Sequence, residues 1–217
     1  MEREIFQMIL IKPSHEILTK INYQEILQHI ETAGRVCYKS EDRIKEESAA
    51  PFIKGIIRRG HESVIEHFSI TVKFICDRGV THEIVRHRLV AYSQESTRYC
   101  NYKGGVTFII PSWIDFEPGE YNFSDIDDSF PSTTKLWYNS MWTCERRYIS
   151  LLWEGWSPQQ ARSVLPNSLK TEIVMTANIR EWRHILKLRT SKAAHPQMRE
   201  IMIPLRKELQ EKLPVFF

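Results

Sequence analysis

Four cysteines in 217 residues, Cys37, Cys76, Cys100 and Cys144, lie far apart with no Cys-x-x-Cys pair. That scarcity excludes a zinc ribbon and fits reduced thiols better than a disulfide framework. Charge of one sign is also lacking, because 30 Lys+Arg face 27 Asp+Glu. A dedicated DNA coat or polybasic membrane binder is thereby disfavoured, and any cationic site has to be concentrated locally. No window approaches the roughly 20 apolar residues of a membrane helix; even Leu151-Leu152-Trp153 is cut by Glu154 and Gly155. The first residues, Met1-Glu2-Arg3-Glu4-Ile5, are acidic where a signal peptide is basic, so a soluble cytosolic protein is expected. Phosphate-loop, dinucleotide-fingerprint, serine-elbow and His-Glu-x-x-His patterns are missing, and Gly104-Gly105 alone is a turn. The spacings of His61, His67, His82 and His87 match no usual ligand set, so no metal is expected.

What is present is an ordinary globular composition, 42% hydrophobic and 26% charged. A chain of this length buries roughly 70% of its unfolded surface without needing disulfides. Ile5, Met8, Ile9 and Ile11 read as a strand ended by Pro13. Helical spacing runs from Asn22 to Cys37 and again from Ala50 to Ile57, with Gly60 as a left-handed stop. Phe68, Ile70, Val72, Phe74 and Cys76 alternate strictly as a strand. A helix is expected from Thr81, carrying Ile84, Val85 and Leu89 inward with Arg86-His87-Arg88 in its last turns, followed by a loop over Ser93–Thr97. A strand over Val106–Ile110 and a long surface segment over 115–132 come next.

The last third predicts a helix from Leu136 to Gly155 and another opened by Ser157 and Pro158 and running to Leu165. A strand at 171–176 precedes a helix capped by Asn178 with Glu181 three residues on, and a final helix spans 196–213 with Pro204 inside it. With no repeat and no low-complexity segment, this mixture argues for one α+β domain over 1–217.

Chemistry concentrates in two places. Arg86 to Tyr99 packs three arginines, a histidine, two serines and a carboxylate around a helix-to-loop junction. Arginine forks suit phosphate and carboxylate, and serine hydroxyls complete such a cradle. The plain alternative is a solvated helix end favoured by the macrodipole. Further on, Arg180 and His184 share a helix face, Arg189 lies near the helix end, and Arg162 sits beside apolar residues.

The pattern Arg86-His87-Arg88-x7-Ser96 resembles the signature of the flavin-dependent thymidylate synthases. Gly60-His61-Glu62-Ser63 with Glu66-His67, Ala161-Arg162 before Val164-Leu165-Pro166, Asn178-Ile-Arg180 and Leu188-Arg189 resemble the family's other motifs, in order and over nearly the whole chain. The resemblance implies a central, mostly antiparallel or mixed sheet flanked by helices. It also implies reductive methylation of dUMP to dTMP, with carbon from 5,10-methylenetetrahydrofolate, reducing equivalents from NADPH and FAD as hydride carrier. By that likeness FAD is held by Ser63, Arg86, His87, Arg88, Gln94, Asn178, Arg180 and His184. The nucleotide contacts Glu83, Arg86, Gln94, Glu95, Ser96, Thr97, Arg98, Arg162 and Arg189, with Arg189 in the catalytic role. A homotetramer with shared sites is implied, Arg162 serving a neighbour. The chain departs from the family pattern at Glu83, Ser93-Gln94, Cys37 and His184, and in a longer Arg189–His195 spacing.

Three other readings compete. One is a dUMP hydroxymethylase, another a synthase acting through Cys100. The third is a nucleic-acid module using the Arg86–Arg98 patch with Tyr92 and Tyr99 as stacking platforms, against which the near-neutral charge counts.

Overall fold

A computed structural model describes residues 7–217, so Ile5 of the expected first strand lies outside them. Seven strands and seven α-helices alternate irregularly along these residues, joined by short 3-10 turns. The described residues form two sheets flanked by helices, the expected α+β class. Among them no helix is long and apolar enough to cross a membrane.

The chain packs as two compact units. The first comprises the described residues up to Ser14, Ile75–Val85 and Gln94–Ile173; the second comprises His15–Phe74, Arg86–Ser93 and Val174–Phe217. In the first unit, β1 (Met8–Ile11) pairs in parallel with β5 (Thr107–Ile109) and antiparallel with β6 (Gly119–Tyr121), so Leu10 faces Phe108 on one side and Gly119 on the other. Met8, Leu10 and Phe108 are buried on this mixed sheet together with Tyr138 and Tyr148 from the long helix α4 (Ser132–Trp153). Gly155 follows α4 with φ +88°, a conformation open to glycine, and α5 (Pro158–Ala161) starts behind a Ser157 capping box. The helix expected to reach Leu165 is α-helical only to Ala161 and tightens into a 3-10 turn over Arg162–Val164.

In the second unit, α1 (Tyr23–Val36) packs on α2 (Ala49–Arg58), and Gly60 closes α2 at φ +74°. A 3-10 turn over Glu62–His67 then leads into β3 (Ser69–Asp77), whose Ile70, Val72 and Phe74 are wholly buried. The helix α6 (Ile179–Arg189) is tied down by Trp182, a fully buried residue whose Nε1 donates to the Ile70 carbonyl at 2.9 Å. Its first residue, Ile179, donates its N–H to the Phe68 carbonyl at 3.0 Å. The closing helix α7 (Pro196–Lys212) buries Met198, Ile201, Met202, Leu205 and Leu209, as its spacing predicts.

The four-stranded sheet has the order β2–β3–β7–β4, with β2 at Ser14–Ile17, β7 at Lys170–Asn178 and β4 at Ala91–Gln94. Three expectations need correction here. The helix expected from Thr81 to Leu89 is α3 (Arg78–Ile84), opened two residues after Cys76 by the Asp77 side chain accepting from Val80 N–H. Arg86-His87-Arg88 therefore lie in a non-helical segment, and Leu89 is exposed instead of inward. The loop expected from Ser93 begins as β4, and the surface segment 115–132 contains β6, a 3-10 turn and the buried Phe116.

Gly34 marks the tightest helix contact. A Cβ there would sit 2.7 Å from Phe52 Cε1 and 2.8 Å from Val64 Cγ1. Gly34→Val should destabilise the fold by about 1–3 kcal/mol, since the helix-propensity gain over glycine is below about 1 kcal/mol. A lower urea midpoint at unchanged m-value is the expected outcome, and a midpoint at or above wild type would contradict the contact.

Candidate active site

The second unit brings together the cluster that the spacing of the motifs only hinted at. Asn178, the last residue of β7, accepts the Glu181 N–H at 2.9 Å and so caps α6. That cap and the buried Trp182 fix the rotation of the helix, which turns Glu181, His184 and Arg189 toward His87. Arg189 donates from Nε to His87 Nε2 at 3.0 Å, and Glu181 Oε1 lies 3.8 Å from His87 Nδ1. The His184 ring stands edge-on to that of His87 at 6.1 Å between centroids. Tyr92, from β4, donates its hydroxyl to the His87 carbonyl at 2.9 Å.

His87 is only 6% exposed. Burial, then the Arg189 and His184 charges, push its pKa down from 6.5 to about 4, so the ring is neutral near pH 7. The contact to Glu181 is accordingly not an ion pair at that pH. Burial raises the Glu181 carboxyl against the pull of His184 and Arg180, and it raises Tyr92 to about 12 with Glu181 adding and Arg189 opposing.

His87, Glu181 and His184 bring their ligand atoms within 4.8 Å of one another. Metal-ligand chemistry nevertheless conflicts with the hydrogen bonding. An arginine N–H can only donate, so His87 Nε2 is the acceptor and the ring proton sits on Nδ1. The nitrogen facing Glu181 then has no lone pair to offer a cation.

Beside this cluster opens a cleft of roughly 1210 Å³ lined in part by Asn178, Arg180, His184 and Arg183. Two of its arginines are already engaged by carboxylates of the Glu62–His67 turn. Arg180 meets Glu66 at 2.5 Å, and Arg183 meets Glu62 at 3.3 Å. Lys187 and Arg206 add further positive charge to the lining.

The first unit builds a polar cluster on Gln94, the last residue of β4, and on the residues after it. Gln94 donates to Thr81 Oγ1 at 3.0 Å and Thr171 Oγ1 at 3.3 Å. Glu95 accepts from the Tyr102 hydroxyl at 2.7 Å and from Lys170 Nζ at 3.2 Å. Burial and then the Glu95 bond drive Tyr102 up, so it stays a donor. Burial alone would lower Lys170, but its bonds to Glu172 and Glu95 prevail and raise it. Ser96 Oγ accepts the Arg98 N–H at 3.3 Å, Arg162 donates to the buried Thr97 hydroxyl at 3.1 Å, and the Arg98 guanidinium lies 5.5 Å from the Tyr99 ring centre. Ser96 thus has a local structural partner.

Residues 20–215 match the family described as thymidylate synthase complementing protein. The flavin-dependent thymidylate synthase of Mycobacterium avium is 34% identical over 193 residues, covering 87% of this chain and 77% of the relative. That of Corynebacterium efficiens is 32% identical over 198 residues with the same two coverages. The chain belongs to the flavin-dependent thymidylate synthase family. A solved structure, the UMP/dUMP methylase PolB from Streptomyces cacaoi with 5-Br UMP bound, superposes with a TM-score of 0.76 at 21% identity. It covers 97% of this chain and 94% of that one, and supports the fold.

The residues that the family likeness singled out divide between the units. Ser63, Arg86, His87, Arg88, Asn178, Arg180, His184 and Arg189 belong to the second; Glu83, Gln94, Glu95, Ser96, Thr97, Arg98 and Arg162 belong to the first. Asn178, Arg180 and His184 line the cleft, whereas His87 and Arg189 are paired beside it. Ser63, Arg86 and Arg88 are exposed side chains on the 3-10 turn and the segment after α3. Glu181, Tyr102 and Lys170 were missed. For Glu181 the signal was its three-residue spacing to His184, which places the two on one helical face; its capping position masked it.

His87 also sets an acid limit. Because its folded pKa is depressed from 6.5 to about 4, the folded state binds fewer protons than the unfolded chain between those values. Stability is therefore full above about pH 6.5 and falls toward pH 4, by at most about 1.4 kcal/mol per pH unit. His87→Gln should flatten that part of the curve in urea titrations at pH 7, 5.5 and 4.5; an equally steep loss in the variant would remove His87 as the cause.

Proposed function

We propose that the chain catalyses the reductive methylation of dUMP to dTMP, with FAD as its flavin, 5,10-methylenetetrahydrofolate as carbon donor and NADPH as reductant. The observation that carries this reading is the likeness to flavin-dependent thymidylate synthases over 87% of the chain. The 5-Br UMP in the related methylase structure supports a pyrimidine nucleotide as substrate class.

The cleft of the second unit suits a dinucleotide cofactor. Its roughly 1210 Å³ exceeds the roughly 300–1,000 Å³ of ordinary small-molecule clefts, and Arg180, Arg183, Lys187 and Arg206 supply donors for phosphate oxygens. Asn178, Arg180 and His184 would hold FAD there; the family likeness also assigns Ser63, Arg86, His87, Arg88 and Gln94 to the flavin. Bound there, the flavin supplies the hydride chemistry that no side chain can perform.

The chain's own residues bind and polarise the nucleotide. Uracil C5 becomes nucleophilic when negative charge develops on the N3/O4 system, and Arg189, its plane set by the bond to His87, is the cation that stabilises it. Ser96, Arg98 and Arg162 would hold the 5′-phosphate by charge-assisted bonds, next to the polar cluster of Gln94, Glu95 and Thr97. Glu83, half-buried on α3, offers a carboxylate to a pyrimidine N–H. Residues 1–217 act as one domain in this reading, in a cytosolic homotetramer whose subunits share sites.

The purified protein should be yellow, and Arg189→Ala should keep its flavin absorbance while losing most dTMP formation. A colourless wild type that takes up no FAD would sink this reading. A product heavier by one oxygen in mass analysis would turn it into a hydroxymethylase, and loss of turnover with flavin retained in Cys100→Ala would favour the thiol mechanism. Arg98→Lys should weaken dUMP binding about tenfold, because lysine cannot make a bidentate phosphate contact; unchanged affinity would count against that contact.

A further inference from the structure

Both ring nitrogens of His87 are turned to protein groups. Nε2 faces the Arg189 Nε–H at 3.0 Å, and Nδ1 faces the Glu181 carboxylate at 3.8 Å. Also beside it are His184, edge-on from α6, and Tyr92, which grips the His87 backbone carbonyl at 2.9 Å from β4, while Arg86 and Arg88 flank it in the chain with exposed side chains. We infer that His87 is a positioning residue for Arg189, its neutral Nδ1–H tautomer favoured by Glu181 so that Nε2 can accept the guanidinium Nε–H. This rests on the assignment of Arg189 as the cation at the uracil ring. It departs from the family likeness, which would place His87 on the flavin.

The logic follows from donor inventory. Arginine stays protonated throughout the working range and carries only donors, so a partner on its Nε edge has to present a lone pair. A neutral imidazole does so on one nitrogen only, and the proton it keeps needs an acceptor-rich side. Glu181 lies on that side. A protonated ring would put N–H against N–H and break the contact. Holding Nε fixes the plane of the guanidinium, and Tyr92 fixes the backbone of the residue that holds it. The arrangement spends no induced fit on orienting the arginine, which is what a preorganised electrostatic group requires.

The direct test is the tautomer. In the wild-type holoprotein labelled with 15N-histidine, the His87 ring, assigned by its disappearance in His87→Gln, should show a protonated Nδ1 and a bare Nε2 at pH 7. A bare Nδ1 with protonated Nε2, or an imidazolium, would overturn the inference. The functional arm compares His87→Leu, which removes the acceptor, with His87→Gln, whose amide oxygen reaches the Nε2 position. His87→Leu should lower kcat for dTMP formation about 10- to 100-fold with flavin content retained and KM for dUMP changed less than about threefold. His87→Gln should recover most of that loss.

On an Arg189→Ala background, His87→Leu should add less than about twofold. A full further loss, or a loss of flavin, would show that His87 acts directly and not through Arg189. If His87→Leu fails to fold, the wild-type tautomer decides alone. A wild type that binds flavin and forms no dTMP would defeat the assigned reaction, while the tautomer would still settle the pairing.

Discussion

The second unit depends on how the indole of Trp182 is buried. A fully buried Trp whose Nε1–H found no acceptor would be costly, and here it donates to the carbonyl of Ile70 on β3 while its ring lies 6.5 Å from that of Phe74. The Ile179 N–H bond to Phe68 pins the start of the same helix. Rotation and register of α6 are thereby set by core packing. A helix so fixed carries Glu181, His184 and Arg189 as a rigid set, the condition under which side chains hold sub-ångström geometry.

Around that rigid face the electrostatics are arranged to keep one imidazole neutral. Desolvation first, then Arg189 and His184, oppose a proton on His87, while burial draws the Glu181 carboxyl upward. Such opposed shifts cluster where chemistry happens. In the first unit the pattern is different: Glu95 is saturated by Tyr102 and Lys170, a network in which each polar atom has a partner and which therefore favours rigidity over proton exchange.

Much of this was legible from residue order. The strict alternation of Ile70, Val72 and Phe74, and the Asn178–Glu181 cap, gave β3 and α6 because burial period and capping chemistry are local properties. β2 and β4 were invisible for the converse reason: both stand at the edges of the four-stranded sheet, neither buries a side chain fully, and polar residues such as Ser93 and Gln94 carry no apolar period. The Arg86-His87-Arg88 motif named the family but misjudged its own backbone, since Asp77 opens α3 early and the helix is spent by Ile84. The motif could not show that His87 faces Arg189, because that contact spans 102 residues and exists only once α6 is docked.

The carboxylates of Glu62 and Glu66 give the cleft a character that its cations alone would not. Arg180 and Arg183 are held in place by carboxylate partners before any ligand arrives, so an incoming phosphate gains only the difference between its own bonds and those it displaces. A single small anion such as inorganic phosphate gains little from that exchange. A ligand with several simultaneous contacts gains from each of them. The acidic turn thus balances much of the positive charge of the lining, where Glu62, Glu66 and Glu181 stand against Arg180, Arg183, Lys187 and Arg206, and a cleft so balanced selects by the pattern of its contacts more than by net charge.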